Sequence, residues 1–167
     1  MGASIQVNSA INEGSEFSFT IVFKKSPVLE IKNIEDKENN LEGNFLKNHK
    51  MAIVDDNKIN LFLTKKMLEN KGALVDVFED PIKAIEKIKT NFYDLILMDI
   101  HMPSIDGYET TQIIRKFNKS TPIIALTAAS LEDNEEQAFK VGMNGFVNKP
   151  YKLEHFFKVI LNVIGNR

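Results

Sequence analysis

The sequence has no cysteine, and only two of its 21 basic residues, Arg115 and Arg167, are arginine. Without cysteine there is no disulfide framework, no thiolate zinc site and no thiol nucleophile, which fits a reducing compartment. The shortage of arginine nearly removes the planar fork that suits bidentate phosphate clamps. Charge of one sign is lacking as well: 21 Lys and Arg stand against 23 Asp and Glu, a net charge of −2. Nucleic acid is therefore not expected as a partner. No run of about 18 apolar residues is present to cross a bilayer. The start Met1-Gly2-Ala3-Ser4 shows neither the basic nor the apolar region of a secretory leader. The chain is expected to be soluble and cytoplasmic, making no membrane contact itself, with any anchor lying upstream of it. What is present is 43% apolar side chains over 167 residues, enough for one core and an appendage.

Three composition blocks divide the chain. Residues 1–23 carry two charges, Glu13 and Glu16, and alternate strictly from Phe17 to Phe23. That period of two predicts a strand with Phe17, Phe19, Ile21 and Phe23 on one face. Ser4 to Ser9 predicts a second strand, and Asn12-Glu13-Gly14-Ser15 supplies turn chemistry between them. A lone hairpin is marginal in water, so its aromatic face needs a cover. Residues 24–49 mix lysine, acid and asparagine without a sustained apolar period and read as a connector, with weak helical signal over Val28 to Ile34.

From Lys50 onward, short apolar runs alternate with amphipathic stretches. The runs are Met51 to Val54, Leu74 to Phe78, Leu95 to Met98, Pro122 to Leu126 and Gly145 to Val147. The first, third and fourth are almost unbroken, the mark of strands covered on both faces. Helix signals separate them: Asp80-Pro81, Asp106 with Glu109, and Ser130 as starts, Gly72 and Gly142 as stops. Strand and helix alternating in this way predict an α/β fold, a parallel sheet with helices on both faces.

In open parallel sheets the crevice lies beyond the carboxyl ends of the strands. Asp55-Asp56-Asn57 follow the first run, Asp99 the third, Thr127-Ala128-Ala129 the fourth and Lys149-Pro150 the fifth. Singly, each has an ordinary role as helix cap, strand end or surface charge. Jointly they place three carboxylates, a hydroxyl and an ammonium at one edge. Two like charges about 4 Å apart repel by roughly 4 kcal/mol at an effective dielectric of 20, so three carboxylates require protonation or a counter-charge. A hard divalent cation such as Mg²⁺ meets that need with oxygen ligands and retained waters. An open magnesium site beside Lys149 and Thr127 suits a phosphoryl group, with one aspartate as its acceptor.

Residues 50–167 resemble the receiver domain of two-component response regulators. The resemblance rests on Ile53-Val54-Asp55-Asp56-Asn57, Asp94 through Pro103, Asp106-Gly107, Ala125-Leu126-Thr127-Ala128 and Gly145 through Pro150. It implies a flavodoxin-like doubly wound fold of strand order 2-1-3-4-5 with Asp99 as phosphoacceptor. It also implies Mg²⁺ on Asp55, Asp56, Asp99 and the His101 main-chain carbonyl. Thr127 and Lys149 would contact the bound phosphoryl, Ala128 would leave a path to Asp99, and Thr127 and Phe146 would act as the switch pair. Phe146 stands where tyrosine is often found, so a hydroxyl is missing there; Pro81 replaces a common glycine. The Lys149-Pro150 bond is expected to be cis.

The first block is similar to the last hairpin of the histidine-kinase ATPase domain, on Met1 to Ser9 and Glu13 to Thr20. The two likenesses imply the C-terminal end of a hybrid sensor histidine kinase: hairpin over 1–23, linker over 24–49, receiver over 50–167. The nucleotide-binding boxes of such an ATPase lie upstream of the hairpin, so ATP binding is not expected, and residues 151–167 leave room only for a last helix. Expected partners are a histidine kinase or a histidine phosphotransfer domain. A homodimer through the last helix or the hairpin is a further expectation, because Phe156, Val159 and Val163 add apolar surface beside a core face of Leu153, Phe157, Ile160 and Ile164. The alternatives are a degenerate receiver acting as a binding module, or a phosphatase of the haloacid dehalogenase type. The latter wants a second aspartate where His101 stands. A flavodoxin is disfavoured because Asp55-Asp56 would repel a flavin phosphate. His49, His101 and His155 are spaced for no metal site.

Overall fold

A computed structural model of the chain describes residues 4–10, 14–20, 43–127 and 131–165. Residues 1–38 and 39–167 form two separate units. In the first, β1 (Ser4–Ala10) and β2 (Gly14–Thr20) pair antiparallel, with Val7 opposite Phe17 and Ile5 opposite Phe19. Val7 and Phe17 are exposed. The turn residues Asn12 and Glu13, the expected strand end at Ile21 to Phe23, the helical signal over Val28 to Ile34, and Ala128 to Ser130 all lie outside the described residues.

The second unit is a five-stranded parallel sheet: β3 (Lys50–Val54), β4 (Leu74–Phe78), β5 (Leu95–Asp99), β6 (Ile123–Thr127) and β7 (Gly145–Asn148). Its spatial order is β4-β3-β5-β6-β7, that is 2-1-3-4-5 counted within the unit. Strand side chains point to alternate faces. Ala52, Val54, Ile96, Met98, Ile123 and Ala125 therefore face α2 (Pro81–Thr90), α3 (Gly107–Arg115) and α4 (Leu131–Lys140). Met51, Ile53, Leu95, Leu97, Ile124 and Leu126 face α1 (Lys58–Glu69) and α5 (Leu153–Gly165). The central β5 and β6 are buried throughout, as unbroken apolar runs require, whereas β4 at the sheet edge exposes Leu74 and Val77.

The helix ends follow local chemistry. Asn57 accepts hydrogen bonds from the N–H groups of Ile59 and Asn60, Asp80 from Ile82 with Pro81 in the first helical position, and Asp106 from Glu109. Gly72 (φ 91°) and Gly142 (φ 94°) hold the left-handed conformations that end α1 and α4. Arg115 at the end of α3 donates from Nε to the Gly142 carbonyl (2.8 Å), from Nη1 to those of Asn118 (3.0 Å) and Thr121 (2.9 Å), and from Nη2 to Asn144 Oδ1 (3.0 Å). Among the described residues no helix is long and apolar enough to cross a membrane.

Three sequence expectations change. The core face of α5 does not begin at Leu153, which is exposed; Phe156 is fully buried instead, stacked on Tyr151 with ring centroids 4.7 Å apart. Val159 and Val163, expected as surplus surface, pack over Gly145, where a Cβ would come within 3.4 and 3.3 Å of their methyls. A third change concerns residues 43–49, the end of the expected connector. These fold with the sheet: Leu46 is completely buried, its N–H donates to the Lys71 carbonyl, and Phe45 meets Phe157 edge-on at 5.3 Å. That packing covers the Phe157 ring of α5.

Candidate functional site

Parallel register brings four strand ends together. Val54 pairs with Met98, Asp99 with Leu126, and Thr127 with Asn148, so the residues at these ends emerge along one edge. The Asp55 N–H donates to the Phe78 carbonyl, the Ile100 N–H to that of Leu126, and the Lys149 N–H to that of Thr127 at 2.6 Å. The Lys149-Pro150 bond is cis.

Carboxylate oxygens of Asp55, Asp56 and Asp99 lie within 4.8 Å of one another. Asp55 and Asp99 are buried, and Asp56 is exposed. Oδ1 of Asp55 accepts from the Asn57 N–H at 2.9 Å and from Asn60 Nδ2 at 3.1 Å. Oδ2 accepts from the same Asn60 nitrogen at 3.2 Å and from Lys149 Nζ at 2.6 Å. Lys149 Nζ also stands 3.1 Å from Asp99 Oδ1. Thr127 is buried beside this group. Thus Asp55, Asp56, Asp99, Thr127 and Lys149 are all brought to the same edge. His101 is exposed, and its backbone N–H bonds the Asp99 carboxylate.

Burial raises the Asp99 carboxyl above its ordinary range; the Lys149 ammonium opposes this and the Asp55 charge adds to it. For Lys149, burial works against the charge, but Asp55 and Asp99 overcome it and hold the ammonium above its usual value. One cation against three acids leaves two negative charges uncompensated. Clustered carboxylate oxygens with one exposed member form the hard donor set that fits Mg²⁺.

Gly107, which opens α3, is a requirement that spacing alone did not reveal. A Cβ there would lie 2.2 Å from the Asp99 carbonyl oxygen and 2.9 Å from Ile100 Cα, so only glycine admits this approach. The Gly107 N–H closes it by donating to the Ile100 carbonyl. Asn60 also went unread as a site residue; its signal is a second carboxamide three residues after Asn57, on the helix turn following the acid pair. Phe146 is half-buried on β7 and meets Phe139 of α4 edge-on at 6.5 Å. The expected role of Ala128 falls outside the described residues.

Comparison with known proteins agrees with this geometry. The response regulator receiver domain family matches residues 51–161. Hybrid signal transduction histidine kinase B of Dictyostelium discoideum is 38% identical over 116 residues, covering 62% of this chain and 6% of that protein. Sensor protein EvgS of Escherichia coli O157:H7 is 32% identical over 156 residues, covering 92% of this chain and 13% of that protein. The chain thus spans a small fraction of these relatives. Among solved structures, the receiver domain of a sensor histidine kinase from Pseudomonas aeruginosa, with a magnesium ion coordinated in its active-site cleft, has a TM-score of 0.65 and 34% identity. That match covers 70% of this chain and 98% of the other. Sheet order, acidic edge and family match converge: this chain belongs to the response regulator receiver domain family of two-component systems.

Proposed function

We propose that Asp99 accepts a phosphoryl group from a phosphohistidine carried by a histidine kinase or a histidine phosphotransfer domain. An Asp99 carboxylate oxygen attacks phosphorus in line, the P–N bond to the donor imidazole breaks, and its electron pair remains on the imidazole nitrogen. Water later cleaves the acyl phosphate, releasing inorganic phosphate and restoring Asp99. Asp55, Asp56, Asp99 and the main-chain carbonyl of His101 are the groups that would hold Mg²⁺. When bound, that ion offsets charge on the phosphoryl oxygens as a Lewis acid. Lys149 pairs with a phosphoryl oxygen, Thr127 donates to another, and Phe146 follows Thr127 as the switch aromatic.

The observation that carries this reading is the Lys149 ammonium set between the buried Asp55 and Asp99 carboxylates, with Asp56 open to solvent beside them. A preorganised cation aimed at an acceptor carboxylate is what phosphoryl transfer requires, since its catalysis is mostly positioning and charge stabilisation. The test is incubation with acetyl phosphate and Mg²⁺ followed by intact-mass and peptide analysis. A gain of one phosphoryl group on Asp99 is expected, absent in Asp99→Asn and in EDTA. Label persisting in Asp99→Asn would place the acceptor elsewhere. Magnesium binding without any labelling would favour a binding module.

The reading extends to the parent: a hybrid sensor histidine kinase, with 1–23 the end of its ATPase domain, a linker from 24 that ends ahead of the packed residues 43–49, and the receiver after it. In support, the EvgS alignment covers 92% of the chain, more than the receiver family match alone. For a homodimer, the exposed Val7 and Phe17 of the hairpin offer the apolar face. Sedimentation with and without residues 1–23 tests that part.

A further inference from the structure

The segment after β7 touches α1 once and the turn leading into it once. Lys149 reaches Asp55, the residue three positions ahead of α1, and two residues later the Tyr151 hydroxyl lies 2.6 Å from Thr64 Oγ1. Thr64 is buried on α1, one helical turn after Asn60, whose carboxamide holds both oxygens of Asp55. One face of α1 therefore supports the acceptor side and the loop side of the ion pair together. The Tyr151 ring is fixed as well, stacked at 15° on the fully buried Phe156 of α5. Ring and tip of Tyr151 are thus both held. On its other side, the Lys149 N–H is held by the Thr127 carbonyl.

A lysine side chain is long and loses much rotamer freedom when its head is fixed, so the position of its backbone decides whether the ammonium spans two carboxylates without strain. We propose that Tyr151 is a positioning residue for Lys149: its hydroxyl bond to Thr64 clamps the loop against α1 and sets where the ammonium stands between Asp55 and Asp99. The catalytic importance of the clamp rests on the functional reading above; its geometry does not.

The full chain is compared with Tyr151→Phe, Thr64→Val, Thr64→Ser and the double variant Tyr151→Phe/Thr64→Val. Three quantities are measured: the ¹³Cε–¹Hε signal of Lys149 in metal-free protein, the rate of acetyl phosphate labelling as a function of its concentration, and the unfolding midpoint. Tyr151→Phe and Thr64→Val should each shift the Lys149 signal and lower the maximal labelling rate by about fivefold, with half-saturation nearly unchanged. The double variant should be no worse than either single one, because both remove the same bond. Thr64→Ser, which keeps the hydroxyl, should restore signal and rate. An unchanged Lys149 signal and rate in Tyr151→Phe, whatever happens to the midpoint, would overturn the proposal, as would additive losses in the double variant. Failure of the wild type to label Asp99 would sink the functional reading instead, while the Lys149 signal would still decide the clamp.

Discussion

Lys149 Nζ stands 2.6 Å from Oδ2 of Asp55, an ion pair in which the aspartate side chain is 1% and the lysine side chain 18% exposed. Breaking such a pair from one side leaves a buried charge without its partner, which costs more than the pair itself contributes.

Lys149→Met should therefore lose about 3 kcal/mol of stability in EDTA, read from urea denaturation. The same change removes a positive charge that opposes a divalent ion at this edge, so magnesium affinity should rise, by about tenfold on screened Coulomb grounds. Calorimetric titration measures it. Weaker magnesium binding in the variant would show that the ammonium holds the carboxylates in place rather than competing for them.

The pH dependence follows from Asp99. Its folded pKa is raised, by burial above all, so the protonated form is the one the fold favours. The stabilisation is fully present below the ordinary value of 3.8 and is lost as pH rises through the raised folded value. In EDTA at neutral pH, Asp99→Asn should accordingly be more stable than the wild type, with the difference shrinking as the pH falls toward 3.8. Equal urea midpoints at neutral pH would mean that Lys149 compensates the burial in full.

Gly107→Ala places a methyl 2.2 Å from the Asp99 carbonyl oxygen, and the obstacle is backbone, which cannot rotate away. The start of α3 or the end of β5 must move, at a cost of about 2 kcal/mol by the scale of overpacked sites. Magnesium affinity should fall in the same variant, because the moving segment bears Asp99. A wild-type midpoint and wild-type magnesium affinity would show that the approach is not needed.

Leu46→Ala tests where the folded domain begins. Leu46 is completely buried although the apolar pattern around it has no period, so its truncation should cost about 3 kcal/mol, as for other core leucines. A chain starting at Lys50 should show a comparable loss against one starting at Asn39. No difference between the two would return residues 43–49 to the connector.

The legible part of the site was the part written in local spacing. Each acid, the threonine and the lysine close a strand or come just after one, and a parallel sheet gathers strand ends at one edge whatever the helices do. Caps such as Asp80-Pro81 were equally legible because they act within one turn. Contacts made across the chain were not. Nothing near Thr64 announces a bond to Tyr151, 87 positions away, and Gly107 reveals its purpose only when α3 is laid against Asp99. On α5 the expected core positions Phe157 and Ile160 are buried and Ile164 packs on the core; what was misread there is the exposure of Leu153 and the burial of Phe156. Two apolar sets overlap on that helix, and both find cover: Tyr151 stacks on Phe156, and Phe45 meets Phe157.

Arg115 carries a consequence for how the domain can respond. A single guanidinium joins the last turn of α3 to the approach to β6 and the bend ahead of β7, on the side of the sheet away from the acids. A shift of any one of the three alone would break guanidinium hydrogen bonds. The amino ends of those strands are thus cross-tied by one side chain, which favours adaptation to a newly arrived ligand at the opposite rim.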